Sequence, residues 1–285
     1  MLQRLDPTWL DAEYNARAAI PDHAEIFDGW IAASAMARAG SPAQLDIAYG
    51  DGAGETLDVF PASAPAAPVL VFVHGGYWRA RDKSEFSFIA PSFNADGAML
   101  VLPNYALAPA VTVEHISLQM VQALAWTWRN AARFGGDPSR IVVAGHSAGG
   151  HLAAMLLSCR WKQVDAELPA NLVTGALSIS GVFDLEPLRH TNFLQPDLQL
   201  TPASVARLSP AFFPRPKAGK LYTVAGGDES GEFLRQNKLI REVWGPTAVP
   251  VCETLSARNH LTVLQSLADP AGRLHELALR LLGLR

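Results

Sequence analysis

The most informative part of the sequence is RIVVAGHSAGGHLAAMLL, residues 140–157. Its first third is an apolar run typical of a buried strand, and its last third has the composition of a buried helix. Between them lies Ser147, with Gly145 and Gly149 two positions away on either side. A buried strand needs no glycine, and a helix start needs only a capping residue. The pattern therefore predicts a sharp strand-to-helix turn that presents the serine side chain to the outside.

Ser147 is the candidate nucleophile of this chain. A Gly-x-Ser-x-Gly pattern at a strand-to-helix junction is the nucleophile elbow, in which a strained serine needs small neighbours. The N–H group of Ala148 would then lie free at the helix N-terminus, where it can bind a developing oxyanion. The competing interpretation is a glycine-rich turn that holds a serine by chance, and the apolar strand before it argues against that.

A second motif, HGGYW at residues 74–78, directly follows another apolar run. The N–H groups of Gly75 and Gly76 are not shielded by side chains, so they can complete an oxyanion hole with Ala148. We expect the imidazole of His74 to hold the loop rather than transfer protons. Tyr77 and Trp78 are candidates for lining a substrate pocket, and packing within the loop is the alternative for both.

A serine nucleophile needs a base, and in this arrangement the chain order is serine, acid, histidine. His260 follows the last predicted strand in the loop SARNH (256–260), where the base is expected. His151 lies one turn along the elbow helix and cannot easily reach across the site. His190 precedes the candidate acids, and His275 is expected on the surface of a C-terminal helix.

The acid should follow the preceding predicted strand, KLYTVAGG (220–227). Asp228 and Glu229 both qualify, and spacing alone does not choose between them. Asp184, after the strand TGALSISGV, is a weaker candidate, for which a loop or capping role is the alternative.

Strands and helices alternate along the chain, which predicts an α/β fold with a mostly parallel sheet flanked by helices. We expect one domain over residues 1–285, with an N-terminal helical extension at 1–42. Residues 184–216 are rich in proline and lack periodicity, and we expect them to form a lid-like insertion. The predicted strands are 44–50, 55–61, 68–76, 98–105, 140–145, 174–182, 220–227 and 249–255.

The composition narrows the classes of function. The 285 residues are 49% hydrophobic and carry a net charge of −4, which indicates neither a nucleic-acid partner nor an anionic-membrane partner.

The two cysteines, Cys159 and Cys252, are expected to be free thiols. The N-terminus lacks the pattern of a signal peptide, so we expect a cytoplasmic location. No metal-ligand or dinucleotide motif is present, so we expect no metal and no cofactor. The sequence allows a homodimer.

Together, HGGYW, NYALAP (104–109), AGHSAGGHLAA (144–154) and ESGEFLRQN (229–237) resemble motifs of the α/β-hydrolase fold, in its hormone-sensitive-lipase-like branch. The resemblance is closer to the kynurenine formamidase (arylformamidase) group than to general lipases, and it runs from about residue 68 to 262. It implies that the acid falls on Glu229, where the family usually has aspartate, with Asp228 as the alternate.

The resemblance implies a serine hydrolase that acts through an acyl-enzyme on a small ester or on an aryl formamide such as N-formylkynurenine. Small carboxylesterases belong to the same branch, so the fold does not choose the substrate. A non-catalytic binding protein on a hydrolase scaffold is the third alternative. The presence of all the catalytic parts argues against it.

Overall fold

The structure, a computed structural model, describes residues 5–52 and 54–285. The described residues form one sheet of eight strands in the order β1-β2-β4-β3-β5-β6-β7-β8. The strands from β4 to β8 in this order pair in parallel, whereas β2 pairs antiparallel with both β1 and β4. The predicted α/β fold with a mostly parallel sheet is therefore confirmed. The strands are β1 Gln44–Ala48, β2 Thr56–Phe60, β3 Ala67–Val73, β4 Met99–Pro103, β5 Gly136–His146, β6 Val173–Ile179, β7 Leu221–Gly226 and β8 Val251–Leu255.

Helices cover both faces of the sheet, and the apolar side chains form a cluster on each face. Every residue of β3 and β4 is buried, which explains why these strands are continuous apolar runs rather than alternating ones. The α-helices are α1 Pro7–Tyr14, α2 His23–Gly40, α3 Ala90–Ala95, α4 Val113–Asn130, α5 Ala148–Leu157, α6 Trp161–Val164, α7 Gln195–Leu198, α8 Pro202–Leu208, α9 Gly231–Ala248, α10 Gln265–Ala268 and α11 Arg273–Leu282.

The N-terminal extension contains two helices, and the first of them, α1, ends at Tyr14. α1 starts at Pro7 because Asp6 caps it, accepting a hydrogen bond from Trp9 N at 2.8 Å. Residues 15–20 instead form a tight turn, in which the Asn15 carbonyl accepts hydrogen bonds from the N–H groups of Ala18 and Ala19. This turn, rather than a helix, is what reaches the functional site.

Residues 184–216 contain short helices rather than an irregular loop. Besides α7 and α8, 3₁₀ turns occupy Pro187–His190 and Pro210–Phe212. The prolines do not break these helices, because each of the four has a proline at its first or second position, where proline is favourable. That this segment acts as a lid stays a prediction.

His275, expected on the surface, is fully buried. The expectation was wrong because α11 turns this residue toward α3 and α10. Its Nε2 lies 2.7 Å from Asp96 Oδ2, and its Nδ1 lies 3.0 Å from the Leu267 carbonyl oxygen. Among the helices that the structure describes, none is long and apolar enough to cross a membrane.

Candidate active site

Ser147 lies at the junction of β5 and α5 with φ 56° and ψ −116°, a conformation that an L-residue adopts only under strain. The flanking glycines make this turn possible. A Cβ atom on Gly145 would lie 2.1 Å from the carbonyl oxygen of Gly149, and one on Gly149 would lie 2.0 Å from that of Val73. The Ser147 N–H donates to the Ile179 carbonyl at 2.8 Å, which ties the turn to β6.

The Ser147 side chain meets two of the predicted partners in a continuous hydrogen-bonded chain. Ser147 Oγ lies 3.0 Å from His260 Nε2, and His260 Nδ1 lies 2.6 Å from Glu229 Oε2. The Ser147 and His260 side chains are buried, and that of Glu229 is fully enclosed. These are the distances and the order that a serine, a base and an orienting acid require.

Of the candidate acids, the structure places Glu229 against the histidine. Asp228 is exposed, and its backbone N–H donates to the Arg258 carbonyl at 3.0 Å. Asp184 accepts a hydrogen bond from the Glu186 N–H at 3.0 Å, which is a local loop contact. Neither carboxylate is hydrogen-bonded to His260 among the contacts of the described residues.

Glu229 reaches His260 from a turn just beyond the end of β7. Its second oxygen, Oε1, accepts hydrogen bonds from Gly226 N and from Ser180 Oγ, each at 2.5 Å. Ser180, which follows β6 with a φ of 52°, was not predicted from the sequence. The sequence did contain a signal for Ser180. Like Ser147, it lies at the end of an apolar strand and next to a glycine, Gly181.

A second histidine, His146, supports His260 from behind. Its Nε2 lies 2.7 Å from the carbonyl oxygen of His260, and the two rings are 4.9 Å apart. Burial, helped by the neighbouring His260, lowers the pKa of His146 to about 3, so its imidazole is neutral and its Nε2–H donates to that carbonyl. Phe233 covers the other side of His260 with a ring distance of 4.3 Å.

The predicted oxyanion donors lie beside Ser147. Gly75 is so close that a Cβ atom there would lie 3.1 Å from Ser147 Cβ, and Gly76 has a φ of 104°. The carbonyl of His74 accepts a hydrogen bond from Tyr105 Oη at 3.0 Å, and that of Gly75 accepts one from His74 Nδ1 at 2.8 Å. Because the N–H and C=O groups across one peptide point in opposite directions, the N–H groups of both glycines face away from these partners.

His74 holds the loop, as expected from the sequence. Its Nε2 lies 3.0 Å from Asn104 Oδ1, and its ring stacks on Tyr105 at 4.2 Å. Burial lowers the pKa of His74 below its usual value. Tyr105 was not predicted as part of the site, although it lies within the NYALAP motif.

The cavity in front of Ser147 has a volume of about 300 Å³. Tyr77 lines it, and its hydroxyl donates to the Tyr14 carbonyl at 2.7 Å. The expectation that Trp78 lines the pocket was wrong, because this side chain turns into the core and packs edge-on against His151 at 5.0 Å. The cavity is lined by Asn15, Ala16, Arg17, Phe27, Trp30, Gly75, Gly76, Tyr77, Arg79, Ala80, Arg81, Phe86, His146, Ser147, Phe193, Asp197, His260 and Leu261.

Comparison with known proteins gives the class of this chain. The family model of the α/β hydrolase fold matches residues 70–225, which include the elbow and the HGGYW loop. The chain therefore belongs to the α/β-hydrolase fold family, and it is a hydrolase.

Individual relatives confirm the resemblance to the kynurenine formamidase and small-esterase group. The kynurenine formamidase of Danio rerio is 31% identical over 255 residues, which are 87% of this chain and 84% of that protein. The esterase LipC of Mycobacterium tuberculosis is 34% identical over 142 residues, 48% of this chain and 35% of that protein. A solved structure from a Silicibacter species superposes with a TM-score of 0.82 at 30% identity and covers 93% of this chain and 97% of its own.

Proposed function

We propose that this protein is a serine hydrolase of small carboxylic esters or aryl formamides, with Ser147 as nucleophile, His260 as base and Glu229 as the orienting acid. The observation that carries the proposal is the hydrogen-bonded chain from Ser147 Oγ through His260 to Glu229, at 3.0 and 2.6 Å. Such a chain activates a hydroxyl that is otherwise a weak nucleophile.

The first half of the reaction forms an acyl-enzyme. His260 Nε2 takes the proton of Ser147 Oγ as that oxygen attacks the carbonyl or formyl carbon. The N–H groups of Gly75, Gly76 and Ala148 stabilise the negative charge on the substrate oxygen. His260 then gives its proton to the departing alcohol or arylamine, and the carbon–oxygen or carbon–nitrogen bond breaks.

The second half returns the enzyme to its starting state. A water molecule loses a proton to His260 and attacks the acyl carbon, and Ser147 Oγ leaves as a hydroxyl with the proton that His260 gives back. Glu229 stabilises the imidazolium in both halves and keeps the Nδ1–H tautomer.

Two observations favour an aryl formamide such as N-formylkynurenine as substrate. The similarity to a kynurenine formamidase extends over most of both chains. The cavity also has aromatic walls that suit a flat aryl leaving group, formed by Phe27, Trp30, Tyr77, Phe86 and Phe193. The similarity to an esterase over part of the chain favours small esters as the second candidate.

The first test is kcat/KM of the purified protein on N-formyl-L-kynurenine and on p-nitrophenyl acetate and butyrate. Formamide turnover near or above about 10⁴ M⁻¹s⁻¹, the lower edge of ordinary enzyme efficiency, would support the formamidase function. Turnover of the activated esters alone would leave an esterase.

Ser147→Ala is the mechanistic control for every substrate. We expect it to lower kcat by several orders of magnitude, up to about 10⁶-fold, because the triad acts as a unit. Retained turnover, or failure of the unmodified protein to react with a serine-directed fluorophosphonate, would contradict Ser147 as nucleophile.

A further inference from the structure

One wall of the active-site cavity comes from the N-terminal turn at residues 15–20. Asn15, Ala16 and Arg17 of this turn line the cavity together with Ser147 and His260. The turn is anchored on both sides. Tyr14 before it is fully buried, and Ile20 at its end is buried. The structure thus holds the exposed Arg17 at the mouth of the cavity.

The anchoring of Tyr14 is made by hydrogen bonds to distant parts of the chain. Its hydroxyl donates to Glu232 Oε2 at 2.8 Å, and its carbonyl accepts from Tyr77 Oη at 2.7 Å. At the other end of the turn, the Ile20 carbonyl oxygen lies 2.8 Å from His23 Nδ1. The turn is therefore a fixed wall and not a loose terminus.

Three arginines line the cavity, and two of them form an ion pair with a neighbouring carboxylate. Arg79 pairs with Asp197 at 2.5 Å. Arg81 pairs with Glu85 at 2.8 Å and lies over the ring of Phe27. The guanidinium of Arg17 makes no ion pair and no hydrogen bond within residues 5–52 and 54–285. Within the described residues, Arg17 is thus the arginine of the cavity lining that has no anionic partner.

A second donor without an acceptor lies on the same turn. Asn15 Oδ1 accepts a hydrogen bond from the Ala18 N–H at 3.2 Å, so the oxygen of the amide faces the turn. The amide nitrogen is left over, and it donates to no atom in the described part of the chain. Asn15 and Arg17 thus offer an amide N–H₂ and a guanidinium fork to whatever enters the cavity mouth.

We propose that Asn15 and Arg17 form a carboxylate-binding subsite for the leaving group of the substrate. The inference rests on the proposed function. In that function the aromatic walls bind the aryl group of the substrate, and the cavity mouth binds the carboxylate that this aryl group carries. A guanidinium binds a carboxylate through two parallel hydrogen bonds, and the charge makes each bond stronger than a neutral one. The subsite therefore selects aryl substrates with a carboxylate over neutral ones.

The test compares two substrates that differ only in this charge, N-formyl-L-kynurenine and its carboxamide. We expect the intact protein to favour the carboxylate in kcat/KM, and Arg17→Ala to reduce that preference about fivefold, the upper end of what an exposed charge pair contributes. Activity on the carboxamide should fall by less than activity on the carboxylate, because only the carboxylate pairs with the guanidinium. Arg17→Lys should retain part of the preference, and added salt should weaken it.

Arg215→Ala is the matched control, because Arg215 is also exposed but does not line the cavity. An unchanged preference in Arg17→Ala, or an equal loss on both substrates, would overturn the subsite and leave the formamidase function standing.

A second measurement separates the subsite from formamide turnover. L-Kynurenine and its carboxamide are used as inhibitors of p-nitrophenyl acetate hydrolysis. Stronger inhibition by the carboxylate, lost in Arg17→Ala, supports the subsite even in a protein that does not cleave the formamide. Equal inhibition by the two ligands would overturn it.

Discussion

Glu229 uses both of its carboxylate oxygens. One holds His260, and the other accepts hydrogen bonds from Gly226 N and Ser180 Oγ. The longer glutamate side chain allows this arrangement, because it folds back over the turn at the end of β7. At the scale of single residues, the orientation of the His260 ring thus depends on one carboxylate that accepts hydrogen bonds from three donors.

Glu229→Gln should lower kcat by about 10⁴-fold, the loss seen when the acid of a serine triad becomes an amide. If the amide turns its N–H₂ toward His260, it stabilises the wrong tautomer of the imidazole. If it turns its N–H₂ toward the Gly226 N–H, two hydrogen-bond donors face each other. Steady-state kinetics on the best substrate measures the effect.

Asp228→Asn is the matched control for this substitution. It removes the neighbouring charge at an exposed position, and kcat should remain within about twofold, as for most surface changes. A larger loss in Asp228→Asn than in Glu229→Gln would contradict the assignment of the acid.

In the elbow between β5 and α5, backbone atoms leave no room for a side chain on Gly145 or Gly149. Gly145 and Gly149 are close to carbonyl oxygens that belong to the turn and to β3. Backbone atoms cannot rotate away as a flexible side chain can, so a new methyl group has to displace the strand or the helix.

Gly145→Ala should therefore lower the free energy of unfolding by about 3 kcal/mol, the upper range for overpacking of a rigid core. The same substitution at Gly29, within α2 and with nothing within 4 Å of its new Cβ, should instead raise it by up to about 1 kcal/mol. Denaturant unfolding of both variants measures the pair. Equal effects of the two substitutions would show that the close approach at the elbow is not rigid.

The elements that the sequence could predict are those with a local signal. Continuous apolar runs predicted the buried strands, and the glycines around Ser147 predicted the elbow. Asn15 and Arg17 could not be found in this way, because they belong to an exposed turn that reaches the site only through contacts of Tyr14 with residues far along the chain. Tyr105 was missed for the same reason, since its hydroxyl acts on the loop that follows another strand.

Over the whole molecule, several histidines are buried as neutral groups. Burial lowers the pKa of His146 to about 3 and that of His151 to about 4, and it also lowers the pKa of His74. In the unfolded chain a histidine takes up a proton near pH 6.5. Between these values the unfolded chain binds more protons, so the free energy of unfolding falls as the pH falls.

We expect stability to decline as the pH is lowered from about 6.5 toward 4, with His146 and His151 each contributing a loss of about 2 kcal/mol at pH 5. His151→Gln should make this decline shallower, because it removes one of the buried titrating groups. His115→Gln, at an exposed position, should leave the slope unchanged. Denaturant unfolding between pH 7 and 4.5 measures the slopes, and identical slopes in all three proteins would refute the role of His151.

The anchoring of α1 to α9 has a consequence for how the protein is made. Tyr14 and its partner Glu232 are 218 positions apart. At the usual 5–20 residues per second, a ribosome completes α9 roughly 12–47 s after α1 has been synthesised. Throughout that interval Tyr14 cannot dock on a complete α9, and His260 does not yet exist. A nascent chain therefore carries the elbow serine long before it has a base or a closed pocket, so premature termination upstream of α9 yields an inert product and not an unselective hydrolase.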